Sequence, residues 1–396
     1  MRLKKIAFIL FVTFSSIGFC QEMLLSPLSK VSLLTVGTGD ELYSKFGHSG
    51  FRIQDPTLGF DRIYDYGGFD FDPPGFYVKF ARGKLNYRMS VYNTGGFIEA
   101  YKQENRWVKE QTLNLSQAER NEVFAFLQNN IKKENRYYLY DFLFDNCATK
   151  IPEVLKNGLG DKLKFDYPHL EETFTFRQLI HQSLDENAWA TFGIDLALGS
   201  IIDRKATPWE HQFLPLYVYQ QMPNTTINGE AFVVKEEVLV EEKPVDKKAF
   251  FLLTPLFWLI VLMVSVVLIT YFDHKNKKRT RWLDFGLFFI TGAAGLLIFF
   301  LWFMTDHVFT KANFNLLWAF PLNLVLAFIL AKNKAPKNWV EKYLWVLLIG
   351  IVITTILWLF KIQVFSPLII FVLLALALRY LFLVQMFKKS ESTTIQ

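Results

Sequence analysis

Cysteine is nearly missing from this chain, with two in 396 residues, Cys20 and Cys147. So few thiols exclude a disulfide-stapled scaffold and a cysteine-built zinc site. Histidine is scarce as well, and no pair among His169, His181 and His211 has metal-ligand spacing. No Gly-rich phosphate loop and no Gly-x-Ser-x-Gly elbow occurs, which sets aside two large groups of nucleotide-dependent and serine-dependent enzymes. Neither metal nor cofactor is expected. No internal repeat and no low-complexity tract is present either.

What is present begins with an export signal. Arg2, Lys4 and Lys5 precede an apolar run over 6–17 that is too short to span a bilayer, and Gly18-Phe19-Cys20 offers a cleavage site before Gln21. A lipobox ending at Cys20 is the rival reading, against which stands the bulk of Phe19. After cleavage Cys147 is the single cysteine of an exported chain. It is then an inert buried thiol, an intermolecular bridge or a reactive group.

The composition divides near residue 245. Residues 21–232 mix charge and apolar residues like a globular domain, and 233–248 reads as a charged linker. Long apolar runs follow, with candidate spans at 250–272, 283–304, 316–331, 344–360 and 367–387. The third is short and carries Pro321 and Asn323. Lys275, Lys277, Lys278, Arg279 and Arg281 follow the first run, Lys332, Lys334, Lys337 and Lys342 the third, and Lys388 and Lys389 the fifth. Positive loops stay inside, so the tail at 388–396 is expected in the cytoplasm and the soluble domain outside the inner membrane. The net charge of +6 is largely this topological signal, and it does not argue for a nucleic-acid partner.

Within the soluble stretch, residues 31–36 are β-rich and end at the turn cluster Gly37-Thr38-Gly39-Asp40. Further strands are expected at 46–54, at 60–66 before Gly67-Gly68, and at 84–91. His48 thus opens one strand and Asp65 ends what reads as its neighbour. Ser116-Gln117-Ala118-Glu119 has the form of a capping box and predicts a helix to about Asn130. Another helix is expected from Asp145 or Asn146 to Gly158, with Pro152 tolerable only near its start. Cys147 then falls in or beside the first turn.

Free N–H groups and the helix dipole at that position favour a thiolate. Nucleophilic chemistry further needs an imidazole in reach and a group that orients it. His48 and Asp65 are the candidates, with Tyr64 and Tyr66 as fallback orienters. The plain alternative, Cys147 as a small buried hydrophobe, stays open on the residues alone. His169, His181 and His211 read as surface or packing residues. Asp306-His307 lies at the outer end of the second span, where it is either an interfacial loop or a receiver of lipid head groups.

Phe46-Gly47-His48-Ser49-Gly50-Phe51-Arg52-Ile53, followed about a hundred residues later by Asp145-Asn146-Cys147-Ala148-Thr149, resembles permuted members of the NlpC/P60 (papain-like) superfamily. There too histidine precedes cysteine. Over nearly the whole chain, the signal peptide, the His-then-Cys domain and the multi-span region look like the Lnb-type lipoprotein N-acyltransferases of Bacteroidota. The segments Gly199-Ser200-Ile201-Ile202-Asp203-Arg204, Pro208-Trp209-Glu210, Phe213-Leu214-Pro215, Thr305-Asp306-His307, Asn313-Phe314-Asn315-Leu316-Leu317-Trp318 and Pro321-Leu322 are similar to that family as well.

The resemblance implies an α+β, permuted NlpC/P60 periplasmic domain at 21–232, then an all-α bundle of about five transmembrane helices at 249–387. It implies acyl transfer through a Cys147 thioester, with His48 as base and acid, from a membrane phospholipid to the α-amino group of a diacylated lipoprotein. Asp65 is the expected orienter of His48, and Asn146, Tyr64 and His307 are the expected substrate contacts. Two rivals remain: a membrane-anchored cysteine peptidase or amidase acting on cell-wall peptides, and a non-enzymatic envelope assembly or binding protein.

Overall fold

The structure, a computed structural model, describes residues 23–69, 75–244, 250–332 and 339–394. The expected export signal lies outside them. The soluble part is built on β1 (Lys30–Val36), β2 (His48–Asp55), β3 (Phe60–Gly68), α1 (Phe76–Ala81), β4 (Asn86–Asn93), α2 (Thr94–Gln103), β5 (Val108–Leu113), α3 (Gln117–Asn130) and β6 (Tyr137–Leu139). It continues through α4 (Lys150–Leu159), β7 (Leu163–Phe165), α5 (Phe176–His181), α6 (Trp189–Ala197), α7 (Pro215–Gln221), β8 (Thr225–Ile227), β9 (Glu230–Ala231) and β10 (Val233–Val240). Seven strands form one antiparallel sheet in the order β10-β5-β1-β2-β3-β4-β6, and β7-β8-β9 form a small second sheet.

The pleat decides what each strand residue faces. Phe51 and Ile53 of β2 and Tyr64 and Tyr66 of β3 pack with Val123, Phe124 and Leu127 of α3 and Ile151, Val154 and Leu155 of α4. The opposite face carries Leu34, Val36, Ile63 and Val108 against Phe97 of α2. Each large apolar side chain so buried contributes about 2 kcal/mol. Since a one-residue slip would expose the whole set, these residues also fix where His48 points. The capping box expected at Ser116 is present: Ser116 Oγ accepts from the Glu119 amide at 3.3 Å and Glu119 Oε2 from the Ser116 amide at 2.9 Å.

Three local expectations change. Half of the stretch read as a linker, residues 233–240, is the edge strand β10, paired with β5. Its exposed charges suit an edge, where they discourage pairing with other chains. The helix expected from 145 or 146 begins at Lys150 after a turn, because the Asn146 side chain caps that turn from outside. It ends at Gly160 (φ +58°) rather than at Gly158.

The membrane part comprises α8 (Pro255–Asn276), α9 (Arg281–Phe303), α10 (Asn323–Leu330), α11 (Trp339–Leu359) and α12 (Ile369–Thr394). Four of these are long and apolar enough to cross a bilayer. The third crossing is instead a broken one: a 3-10 turn at Phe314–Leu317, Pro321, then the short α10. Irregular backbone survives at that depth only when buried in protein, and small residues make the room. A Cβ on Gly292, Gly295 or Gly350 would meet Leu324 N at 2.1 Å, Ala319 O at 2.0 Å or Leu317 O at 2.3 Å.

Hydrogen bonds clasp the two parts together. The Gly199 and Ser200 amides donate to Phe309 O at 2.9 Å and Ala312 O at 3.0 Å, and Asn313 Nδ2 donates to Leu196 O at 2.8 Å. The Asp306 amide donates to Arg82 O at 2.9 Å and the Val364 amide to Asp203 Oδ2 at 3.2 Å.

Candidate active site

Cys147 sits in the turn that leads into α4, and that turn is held by Asn146. Asn146 Oδ1 accepts from the Ala148 amide at 2.7 Å and the Thr149 amide at 3.0 Å; its Nδ2 donates to Phe142 O at 2.7 Å and Phe213 O at 2.9 Å. Two donors and two acceptors exhaust its ordinary capacity. Asn146, expected as a substrate contact, lines the same cavity as Cys147 and also clamps the cysteine turn.

His48 opens β2 after Gly47, whose φ of +80° suits glycine. His48 pairs with Val36 of β1, while Asp65 of β3 stands opposite Gly50. The imidazole and the carboxylate therefore lie diagonally on one face of the sheet, and His48 Nε2 donates to Asp65 Oδ1 at 2.7 Å. The same oxygen accepts from the Gly67 amide at 2.6 Å. Tyr64 and Tyr66, one residue to either side, project to the other face by the pleat. There Tyr64 is 1% exposed, packs on Phe124 and accepts from Gln128 Nε2 at 2.6 Å. It does not line the cavity, so the expectation that it contacts substrate is corrected.

Cys147, His48 and Asp65 line one cavity of about 210 Å³, together with Tyr87, Tyr101, Tyr140 and Arg106. Burial works against the His48 imidazolium, but the Asp65 carboxylate, with smaller contributions from Tyr101 and Cys147, outweighs it and holds the pKa well above the usual histidine value. Tyr87 and Tyr140 stack at 4.1 Å between centroids. Burial pushes Tyr87 up to about 12 and Tyr140 upward too, so both phenols remain neutral donors.

Gly67 is a functional position that the sequence disguises as a strand stop. A Cβ there would lie 2.4 Å from His48 Cε1 and 3.0 Å from Asp65 Oδ1. Only glycine lets the dyad close. Tyr101 and Arg106 carried no sequence signal at all, being brought in by α2 and the turn after it. His307, by contrast, is not part of the cavity lining. It packs beside Gly83, and its neighbour Asp306 pairs with Lys84 at 3.2 Å, both exposed. His307, expected as a substrate contact, lies where the membrane part meets the soluble domain. His211 fills a packing role, with Nδ1 bonded to Thr207 O and Nε2 accepting from the Phe174 amide.

Fold and site together define a class: a multi-pass membrane protein whose α+β domain outside the membrane holds a free thiol in one cavity with a carboxylate-bound imidazole. The family follows from matches along the chain. Residues 23–182 match the Lnb N-terminal periplasmic domain and residues 246–391 match the Lnb transmembrane domain. The chain belongs to the Lnb family. No curated protein and no solved structure matches it significantly.

Proposed function

We propose that this protein is a lipoprotein N-acyltransferase that works through a thioester on Cys147. The observation that carries the reading is the shared cavity of Cys147, His48 and Asp65 in a chain of this family. With Nε2 bound to Asp65, His48 has Nδ1 to exchange a proton with the thiol, and its raised pKa favours an imidazolium–thiolate pair.

The thiolate attacks an ester carbonyl of a phospholipid. The C–S bond forms, the C–O bond breaks, and the lysophospholipid leaves with the proton from His48. The neutral α-amino group of a diacylglyceryl-cysteine then attacks the thioester. The C–N bond forms, the C–S bond breaks, and the amine's surplus proton passes to His48, restoring the pair. The Cys147 amide has no acceptor among the described residues and is the donor we assign to the oxyanion. Clasps such as Asp306 to Arg82 O hold the domain against the ends of the spans, where lipid-anchored substrates lie.

The test is Cys147→Ala in a strain with no other such enzyme. Mass spectrometry is expected to find lipoproteins carrying two acyl chains instead of three; persistence of triacylated lipoproteins would sink the proposal. Cleavage of peptidoglycan fragments by the wild type would favour a peptidase instead.

A further inference from the structure

Arg106 is a buried cation that the acyl-transfer steps leave unused. It is 4% exposed and lines the cavity that holds Cys147 and His48. Its Nε donates to Gly37 O at 2.9 Å, its Nη1 to Glu104 Oε2 at 2.9 Å, and its guanidinium lies 4.8 Å over the ring of Tyr101. Tyr101 in turn lies 6.3 Å from the His48 ring. Nη2, however, is buried and has no hydrogen-bond partner among the described residues.

A guanidinium held only for structure normally uses its fork, since a buried unsatisfied N–H costs roughly 1–3 kcal/mol. Glu104 faces solvent at half exposure and offsets part of the charge from outside. The remaining amino group, Nη2, lacks an anionic oxygen among the described residues. Guanidinium groups are matched to phosphate geometry, and of the two substrates in the proposed reaction only the donor carries a phosphate. The acceptor brings an amine, which offers a guanidinium no anionic oxygen.

We infer that Arg106 is the binding residue for the phosphodiester of the acyl donor, and so selects phospholipid over phosphate-free glycerolipid. A glycerophospholipid has its phosphorus a few bonds from the ester carbonyl, so one small cavity serves both groups. This inference rests on the acyltransferase reading, and two measurements on the full-length protein separate their failures.

In the first, Cys147 of protein in detergent micelles is acylated by phosphatidylethanolamine or by the matching diacylglycerol, and the thioester is followed by intact mass. The ratio of the two rates is expected to fall at least about tenfold in Arg106→Gln, the worth of one charge-assisted hydrogen bond. An equal fall with both lipids overturns the inference and leaves Arg106 a prop for Tyr101 and His48. If Arg106→Gln fails to fold, Arg106→Lys, which keeps the charge without the fork, carries the same ratio test.

The second measurement needs no variant and no turnover. Glycerophosphoethanolamine is expected to protect wild-type Cys147 from iodoacetamide, whereas ethanolamine plus glycerol is not. Equal protection by inorganic phosphate would make this a general anion site, and no protection would remove the subsite. Both results overturn the inference. Should neither lipid form a thioester, the acyltransferase reading fails, and the protection assay still decides what Arg106 binds.

Discussion

Two clusters of buried charge in this molecule follow opposite rules. At the turn between α8 and α9, Arg379 is 0% exposed and donates from Nε to Asp284 Oδ1 at 2.6 Å and from Nη1 to Thr270 Oγ1 at 3.2 Å. Its Nη2 lies 2.8 Å from Asp273 Oδ2, and Arg279 reaches Asp284 at 3.1 Å. In the cavity of the soluble domain, among the described residues, Cys147 is a free thiol, His48 has one ring nitrogen engaged, and Arg106 has an amino group with no partner. A complete network in a low-dielectric setting fixes one arrangement of helices, whereas an incomplete one is a cost that folding does not offset. The first cluster holds structure together; the second, on the proposed reading, is left open for substrate.

That contrast is broken most severely at Cys147. Cys147→Ala is expected to remove all thioester formation while leaving thermal unfolding within about 0.5 kcal/mol of wild type, because no hydrogen-bonded network is lost. A large loss of stability would mean that the cysteine is a packing residue.

Arg379→Leu is expected to do the reverse. It leaves Asp273 buried without its cation and Asp284 with Arg279 alone, at a cost of about 3–5 kcal/mol. Adding Asp273→Asn and Asp284→Asn should recover a large part of that loss, since the penalty is the stranded charge and not the missing pair. Unfolding of the purified protein in detergent checks both. An unchanged single variant would remove the cluster from the structural side of the comparison.

The sequence exposes the two clusters unequally, for physical reasons. The spans are legible because composition alone sets them, and Pro321 with Asn323 marks the crossing that proves to be broken. His48 and Cys147 are legible because each stands at a recognisable strand or turn start. The choice between Asp65 and its tyrosine neighbours depends on which sheet face is which, and only the pairing of Gly50 with Asp65 decides it. The register shift between Asp65 and Gly68 brings Gly67 against His48, and no one-dimensional pattern records that approach. Arg106 enters through a turn far from His48 in sequence. The charges of β10 mislead because an edge strand and a solvated linker share a composition.

Gly67→Ala should bring a smaller effect that separates geometry from stability within the cavity. The new methyl would sit 2.4 Å from His48 Cε1, so the imidazole must move, and a displacement of that order costs on the order of a hundredfold in rate. Gly96→Ala is the control: a Cβ there meets nothing within 4 Å, and its rate should match wild type. Equal rates in the two variants would show that His48 tolerates displacement and that the closed dyad is not needed.

The finest test is electrostatic, with Asp65→Asn. Burial drives the His48 pKa down, and the Asp65 carboxylate is the largest influence driving it up. Removing that charge while keeping a hydrogen-bonding side chain must lower the pKa. In wild type, the stability contributed by protonated His48 is fully present below the histidine value of the unfolded chain, roughly 6.5. It is lost as pH rises through the raised folded value. In Asp65→Asn that window narrows or closes. The rate should follow the same proton, because the imidazolium supplies it to the departing lysophospholipid: the alkaline limb of the pH–rate profile is expected to move to lower pH. A limb that stays in place would mean that Asp65 orients the ring without setting its charge. His48 would then owe its raised pKa to the other groups that face it in the cavity, Tyr101 and Cys147.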